Sequence, residues 1–208
     1  MKRIIMVIVL SLFTVSVCHA QFRLNNYLGL ELGFFQPTES AVSTYWGNYT
    51  NNMGYDIGVK YTNYFSENIG IVVRLSVITW DTAEENVYYS IGGAVFGPYA
   101  SHFEFNTVST AAGLALRFPV SEIIDITAHL GVSYNANSIT YKEDFISDTT
   151  DSGSAFGFFI DAGCRYYITD RLATGATVRY ATNSQGLSNR DNIEMGGTSV
   201  LLDLGLLF

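Results

Sequence analysis

The sequence predicts an all-β fold: one eight-stranded, antiparallel, up-and-down β-barrel that crosses a membrane. Three observations predict it. Apolar and polar residues alternate along most of the chain, which is the period of a β-strand. Beyond the first twenty residues no apolar run is long enough to span a bilayer as a helix, although 48% of the residues are hydrophobic. The connections between the predicted strands are short and long in turn, which is typical of outer-membrane barrels.

The N-terminus has the features of an export signal. Lys2 and Arg3 precede an apolar stretch, and Ala20 offers a small residue for cleavage. We therefore expect a cleaved signal peptide at residues 1–20 and a mature barrel domain at residues 21–208.

A lipoprotein signal is the alternative for this segment. Residues 15–18 end in Cys18 and loosely resemble a lipobox, but Val17 is bulky for the position before a modified cysteine. An uncleaved membrane anchor is disfavoured, because the apolar run is shorter than the roughly 20 residues that a spanning helix needs.

Charge and cysteine content restrict the function classes. Removal of Lys2 and Arg3 takes the net charge from −8 to −10, since the signal contains no acidic residue. A chain this acidic is not expected to bind nucleic acid. Cys164 is the single cysteine after removal of Cys18, so neither a disulfide framework nor a thiolate metal site can form.

Eight segments show the alternation, in chain order. In each, every second residue is mainly apolar, and the residues between them are mainly glycine, small or polar. The apolar faces begin and end at residues 28–34, 53–61, 69–77, 108–118, 124–134, 156–166, 172–180 and 200–208. Most of these segments have the 9–11 residues that a tilted transmembrane strand needs, or a few more.

The connections supply an independent signal. Tight turns are expected at residues 64–68, 119–122 and 167–171, and long loops at residues 36–52, 81–101, 137–154 and 181–197. In an outer-membrane barrel the short turns are periplasmic and the long loops extracellular. Soluble β-sandwiches have no such regular alternation.

The charges of the strands all lie on the glycine-bearing face. The opposite face, rich in Leu, Ile, Val and Phe, is therefore predicted to contact lipid. The inward face carries five acids, five bases and one histidine, so its charges nearly cancel: Glu31, Asp56, Lys60, Arg74, Arg117, Asp125, His129, Asp161, Arg165, Arg179 and Asp203. Because buried charges are tolerated when paired, we expect an interior salt-bridge network rather than an open pore.

Aromatic residues are expected in two girdles at headgroup depth. At the short-turn end these are Tyr61, Tyr64, Phe65, Phe118, Tyr166, Tyr167 and Phe208. At the long-loop end they are Phe34, Phe35, Tyr55, Trp80, Tyr134, Phe156 and Tyr180.

The chain resembles the small outer-membrane β-barrel family that includes the OmpA transmembrane domain and OmpX. The resemblance rests on the signal peptide, the eight strands, turns such as YFSENIG at residues 64–70, and a final strand that ends in Phe208. It implies insertion by the barrel-assembly machinery, which in that family reads the last strand; the matching residues here are Val200, Leu202, Leu204, Leu206 and Phe208. A periplasmic peptidoglycan tether is not expected, since the chain ends with the barrel.

Catalytic and metal sites have little support in the sequence. His102 and Glu104 could form an acid–base pair on one strand face, as a lipid A-modifying enzyme would require, but no suitably placed serine completes a motif. Asp144, Asp148 and Asp151 lack the spacing of a calcium loop. The sequon at residues 48–50 is explained by chance. We expect no cofactor and no metal.

The long loops are the better candidates for function. Two of them contain aromatic residues that could form a contact surface or fold over the barrel mouth: Tyr45, Trp46, Tyr49, Tyr88, Tyr89, Phe96 and Tyr99. The leading hypothesis is a non-enzymatic, monomeric barrel in contact with outer-membrane lipid and lipopolysaccharide, serving envelope structure or surface interaction. A narrow channel for ions or small solutes is the second hypothesis, and a lipid A-modifying enzyme the third.

Overall fold

The computed structural model describes residues 26–38, 52–82, 85–91, 94–143, 146–187 and 190–208. Within these ranges the regular structure is β-strand. No helix of the described chain is long and apolar enough to cross a membrane. The predicted signal peptide lies outside these ranges.

Eight strands form the wall of the barrel. Their bounds are β1 (Asn26–Pro37), β2 (Gly54–Tyr64), β3 (Ile69–Asp81), β5 (Ala94–Pro119), β6 (Ile124–Glu143), β7 (Ile146–Tyr167), β8 (Leu172–Ala181) and β11 (Gly197–Leu207). Three shorter strands lie at the end where the connections are long: β4 (Glu85–Ile91), β9 (Ser184–Leu187) and β10 (Arg190–Glu194).

The wall closes without a free edge, and each wall strand is antiparallel to both neighbours. β1 pairs with β2 on one side and with β11 on the other, and β3 pairs directly with β5. The β1–β11 register sets Leu30 opposite Leu204 and Glu31 opposite Asp203. The predicted fold class, an eight-stranded antiparallel barrel, is confirmed.

The two faces of the wall differ as the alternation predicts. The apolar residues of the final strand are exposed on the outside, and Leu202 keeps 67% of its surface accessible. The charged residues of the other face are buried, and Asp56 and Asp125 have no accessible surface. An apolar exterior around a polar interior is the reverse of a water-soluble protein and suits a hydrocarbon surround.

Glycines allow the wall to pack closely on the inside. Gly113 of β5 lies opposite Gly131 of β6. A Cβ atom on Gly113 would lie 2.2 Å from the Leu130 carbonyl oxygen and 2.8 Å from the Gly131 Cα atom. No side chain fits there, which explains why the inward face is rich in glycine.

Two predicted long loops are largely β-structure. Residues 137–154 continue β6 and β7 to the pair Glu143–Ile146, and residues 81–101 contain β4 and the start of β5. The prediction of loops is wrong there. Apolar and polar residues alternate along a strand only where one face meets lipid and the other meets the lumen. From residue 148 to 154 of β7 both faces of the strand are largely exposed, so the chain stays extended there without the pattern.

Part of the girdle prediction is also wrong. Phe35, Tyr64 and Trp80 point into the barrel and are almost fully buried, and the Tyr167 hydroxyl donates to Asp125 inside it. The neighbour of an outward residue must point inward, as Phe35 does beside the exposed Phe34. Outward aromatics do occur at both ends, including Tyr55 and Phe156 at one and Phe65 and Phe208 at the other.

Candidate functional site

The barrel interior holds a network of ion pairs centred on Glu31. Its carboxylate accepts from Lys60 Nζ at 2.8 Å, Arg74 Nε at 2.7 Å and Arg179 Nη2 at 2.9 Å. The three cations come from β2, β3 and β8, so one carboxylate ties together strands from several parts of the wall. All four side chains are almost completely buried.

A second carboxylate extends the network across the barrel. Asp161 on β7 accepts from Arg74 Nη2 at 2.9 Å and lies 2.6 Å from His129 Nδ1. Arg74 on β3 thus bridges Glu31 on β1 and Asp161 on β7. His129 is completely buried, and the carboxylate holds its ring in one orientation.

Asp56 and Asp203 join the same network through Arg179 and Lys60. Asp56 Oδ2 lies 3.4 Å from Arg179 Nη1 and accepts from the Ser199 hydroxyl at 2.6 Å. Asp203 accepts from the Tyr27 hydroxyl and lies 3.5 Å from Lys60 Nζ. Each of these carboxylates therefore combines one charged partner with one hydroxyl donor.

The remaining inward bases contact aromatic rings at the short-turn end. The Arg165 guanidinium lies 3.7 Å from the centre of the Tyr27 ring, and that of Arg117 lies 4.3 Å from the centre of the Tyr64 ring. Arg117 Nε also donates to the Glu67 carbonyl at 2.9 Å. Sequence reasoning missed these cation–π contacts, because it placed Tyr64 in the outer girdle.

An apolar cluster fills the interior toward the long-loop end, and sequence reasoning missed it too. Its buried members are Phe35, Ile78, Trp80, Phe103, Phe105, Ile139 and Met195. The Trp80 and Phe105 rings stack nearly parallel at 4.6 Å, and Phe35 lies 5.2 Å from Trp80. The sequence did contain a signal for this cluster. On β3, Trp80 follows the buried Ile78 by two residues and therefore lies on the same, inward face.

A small cavity separates this cluster from the ion pairs. Its volume is about 20 Å³, and its lining includes Asn135 and Asn183. Arg74 and Arg179 also line it. Two of their atoms, Arg74 Nη1 and Arg179 Nε, have no hydrogen-bond partner. A cavity of this size holds a water molecule, which could satisfy such donors.

The residues considered for catalysis lie at the long-loop rim. His102 Nε2 is 3.7 Å from Glu104 Oε1, and Lys142 on β6 also binds that carboxylate. The hydrogen bond from Lys142 lowers the pKa of Glu104 below its usual value. Glu104 is thus held as a charged partner of Lys142, which favours a structural ion pair over a general base.

Other sequence candidates are only partly described. Tyr45, Trp46, Tyr49 and Asp144 lie outside the described residues, and for Tyr88, Tyr89, Phe96 and Tyr99 the strand positions in β4 and β5 are known but not the side chains. In the described chain no group of three or more His, Cys, Asp or Glu residues is arranged to hold a metal ion. The predicted assembly residues of β11 and Phe208 all point outward.

Comparison with known proteins identifies a family. The family described as "Outer membrane protein beta-barrel domain" matches residues 5–208, nearly the whole chain. No curated protein matches the sequence.

Several solved structures share the fold. OprG from Pseudomonas aeruginosa has a TM-score of 0.59 at 12% identity, covering 89% of this chain and 97% of its own. Neisserial surface protein A has a TM-score of 0.56 at 11% identity over 88% and 97%. Ail, the attachment invasion locus protein of Yersinia pestis, has a TM-score of 0.51 at 14% identity over 90% and 100%. At such identities the similarity is one of architecture.

Proposed function

The chain belongs to the outer membrane protein β-barrel family and is located in the outer membrane, and from this premise we propose that it is a non-enzymatic barrel with a closed, charge-paired lumen. Its extracellular portions serve envelope structure or surface interaction. The proposed partners are outer-membrane lipid, lipopolysaccharide and, during biogenesis, the barrel-assembly machinery. The protein acts as a monomer.

The binding of three cations by Glu31 is the observation that supports a closed lumen. An ion in transit would have to separate Glu31 from Lys60, Arg74 or Arg179, which reach it from different strands at 2.7–2.9 Å. Breaking a buried pair leaves an uncompensated charge and costs about 3–5 kcal/mol. The apolar cluster toward the long-loop end adds a second barrier, because it surrounds a passing ion mainly with apolar side chains.

A planar-bilayer recording tests the closed lumen. Purified protein inserted into a bilayer is expected to give no stepwise current above the lipid background. A known porin, reconstituted in the same way, is the positive control for insertion and detection. Stable, reproducible single-channel steps would overturn the closed lumen and favour the narrow-channel alternative.

The enzymatic alternative has its own test. His102→Ala, expressed in a bacterium that carries this protein, is expected to leave the lipid A mass spectrum unchanged, because Glu104 already pairs with Lys142. A changed lipid A mass would revive a lipid A-modifying activity.

Surface interaction is supported by the strands that continue past the wall. β5, β6 and β7 extend well beyond the ends of β1 and β8, and residues 148–150 and 152–154 of β7 are exposed. A sheet held rigidly outside the membrane can present a fixed surface to a partner.

A further inference from the structure

The outward face of β6 and β7 changes its chemistry at one level of the barrel. From the short-turn end up to Tyr134 on β6 and Phe156 on β7, the outward residues of both strands are apolar or aromatic, apart from Cys164. The rings of Tyr134 and Phe156 lie 5.3 Å apart, and Phe156 keeps 79% of its surface exposed. Exposed aromatic residues in this position mark the upper limit of the lipid-facing belt, at headgroup depth.

Beyond this level the same face carries hydroxyl and amide groups. These residues lie an even number of positions from the outward Val108, Tyr134 or Phe156 and therefore point outward with them. We call them the hydroxyl strip: Asn106 of β5, Ser138 and Thr140 of β6, and Thr150, Ser152 and Ser154 of β7. All of them are exposed or half-buried, so the strip is accessible from outside the barrel.

Strand pairing joins the strip into one continuous patch. Ser138 is in register with Asn106 on one side and with Ser152 on the other. Thr140 is in register with Thr150, and their hydroxyl oxygens lie 3.1 Å apart. Neighbouring strands are about 4.8 Å apart, and alternate residues of a strand are about 6.7 Å apart. Several hydroxyl groups of one saccharide can therefore be bonded by the strip at the same time.

The charges at the border of the strip favour sugar hydroxyls over phosphates as the ligand groups. Lys142 follows Thr140 on the same face, donates to Glu104 and is attracted by Asp148. This ammonium group is therefore neutralised within the protein and offers little to an anionic ligand. The strip residues themselves are uncharged, and their hydroxyl and amide groups both donate and accept, as the hydroxyl groups of a saccharide do.

The position of the strip determines what lies beside it. Residues 150–154 are reached about 7–20 Å along β7 from Phe156. The strip is continuous with the face that contacts lipid, so the groups next to it are the head groups of the same leaflet. The long connections of an outer-membrane barrel are extracellular, and that leaflet is built from lipopolysaccharide, whose head group is a saccharide.

We propose that the hydroxyl strip binds the core saccharide of lipopolysaccharide through hydrogen bonds. This inference rests on the proposed function, which names lipopolysaccharide as a partner, and it adds the chemical part that is recognised and the face that recognises it. It does not depend on whether the lumen is closed.

Threonine methyl groups report on the strip without any added label. Protein with isotope-labelled threonine methyl groups is placed in nanodiscs that contain either lipopolysaccharide with a complete core or a truncated form that keeps lipid A and its phosphates but lacks the core sugars. The methyl resonances of Thr140 and Thr150 are expected to differ between the two nanodiscs and to show contacts with sugar protons in the first. Thr110, outward within the apolar belt, and Thr169, in a short turn, are the controls and should not differ.

Hydroxyl deletions separate binding from mere proximity. Ser138→Ala combined with Ser152→Ala leaves both reporting threonines in place and is expected to abolish the difference at Thr140 and Thr150. Ser76→Ala, inside the barrel, is the matched control and should preserve it. An undiminished difference in the double variant would reduce the effect to crowding by sugars and overturn the proposal.

Two further outcomes would also contradict the contact. Identical Thr140 and Thr150 resonances in the two nanodiscs would show that the core sugars are not bound, and the conductance result would still stand. Core oligosaccharide released from its lipid is expected to leave these resonances unchanged when it is added, at the same concentration, to protein in phosphatidylcholine nanodiscs. An equal response to the released oligosaccharide would identify a soluble glycan as the ligand and overturn the assignment to the leaflet.

Discussion

At the scale of single residues, the arrangement of the barrel interior depends on which donors each carboxylate pairs with. Alternation along the strands was sufficient to predict which eleven residues point inward. It could not predict the pairs, because Arg74 on β3 meets Asp161 on β7 across the lumen rather than along a ladder. Such contacts depend on strand tilt and stagger, which the sequence does not reveal.

Glu31 is the residue whose loss should cost most. Glu31→Gln removes the charge shared by three buried cations, so the free energy of unfolding should fall by about 3–5 kcal/mol. Urea unfolding in lipid vesicles, followed by tryptophan fluorescence, measures it. Glu122→Gln, at an exposed turn position, is the matched control and should change it by no more than about 0.5 kcal/mol. A Glu31 effect as small as that of the control would show that the network contributes little to stability.

At the scale of strands, the alternation of inward and outward positions predicts the orientation of the aromatic residues better than the girdle assignment did. Tyr64 and Trp80 are out of phase with the lipid-facing residues of their own strands, and both point inward. The aromatic interior was therefore predictable from sequence. The extension of β6 and β7 was not, because strands surrounded by water on both faces lose the apolar alternation that a membrane imposes.

The contact between β5 and β6 yields a prediction about close approach. Gly113→Ala would place a methyl group 2.2 Å from the Leu130 carbonyl oxygen, so the two strands must separate. We expect the free energy of unfolding to fall by about 1–3 kcal/mol. Ala112→Leu, one residue away on the lipid face, is the control and should be nearly neutral because hydrocarbon accommodates the larger side chain. Equal effects of the two variants would contradict the steric explanation.

At the scale of the whole molecule, the decisive property is the reversal of inside and outside. Exposed leucine, valine and phenylalanine surround a buried set of charges, and this arrangement is stable only in hydrocarbon. The described strands therefore combine an interior of paired charges with an apolar outer belt, two environments that one alternating sequence produces on opposite faces of the same strands.

The apolar belt can be tested with the cysteine that lies in it. Cys164 is exposed on the outer face of β7, in register with Ala176 of β8, and it is the only cysteine of a chain that starts at Gln21. A spin label on Cys164 is expected to be relaxed strongly by oxygen, which concentrates in hydrocarbon, and weakly by a water-soluble nickel chelate. A Cys164→Ser, Ser152→Cys variant moves the label to the exposed extension of β7, where the order should reverse. Stronger relaxation of the Cys164 label by nickel than by oxygen would mean that this face meets water, and the membrane assignment of the whole outer surface would fail.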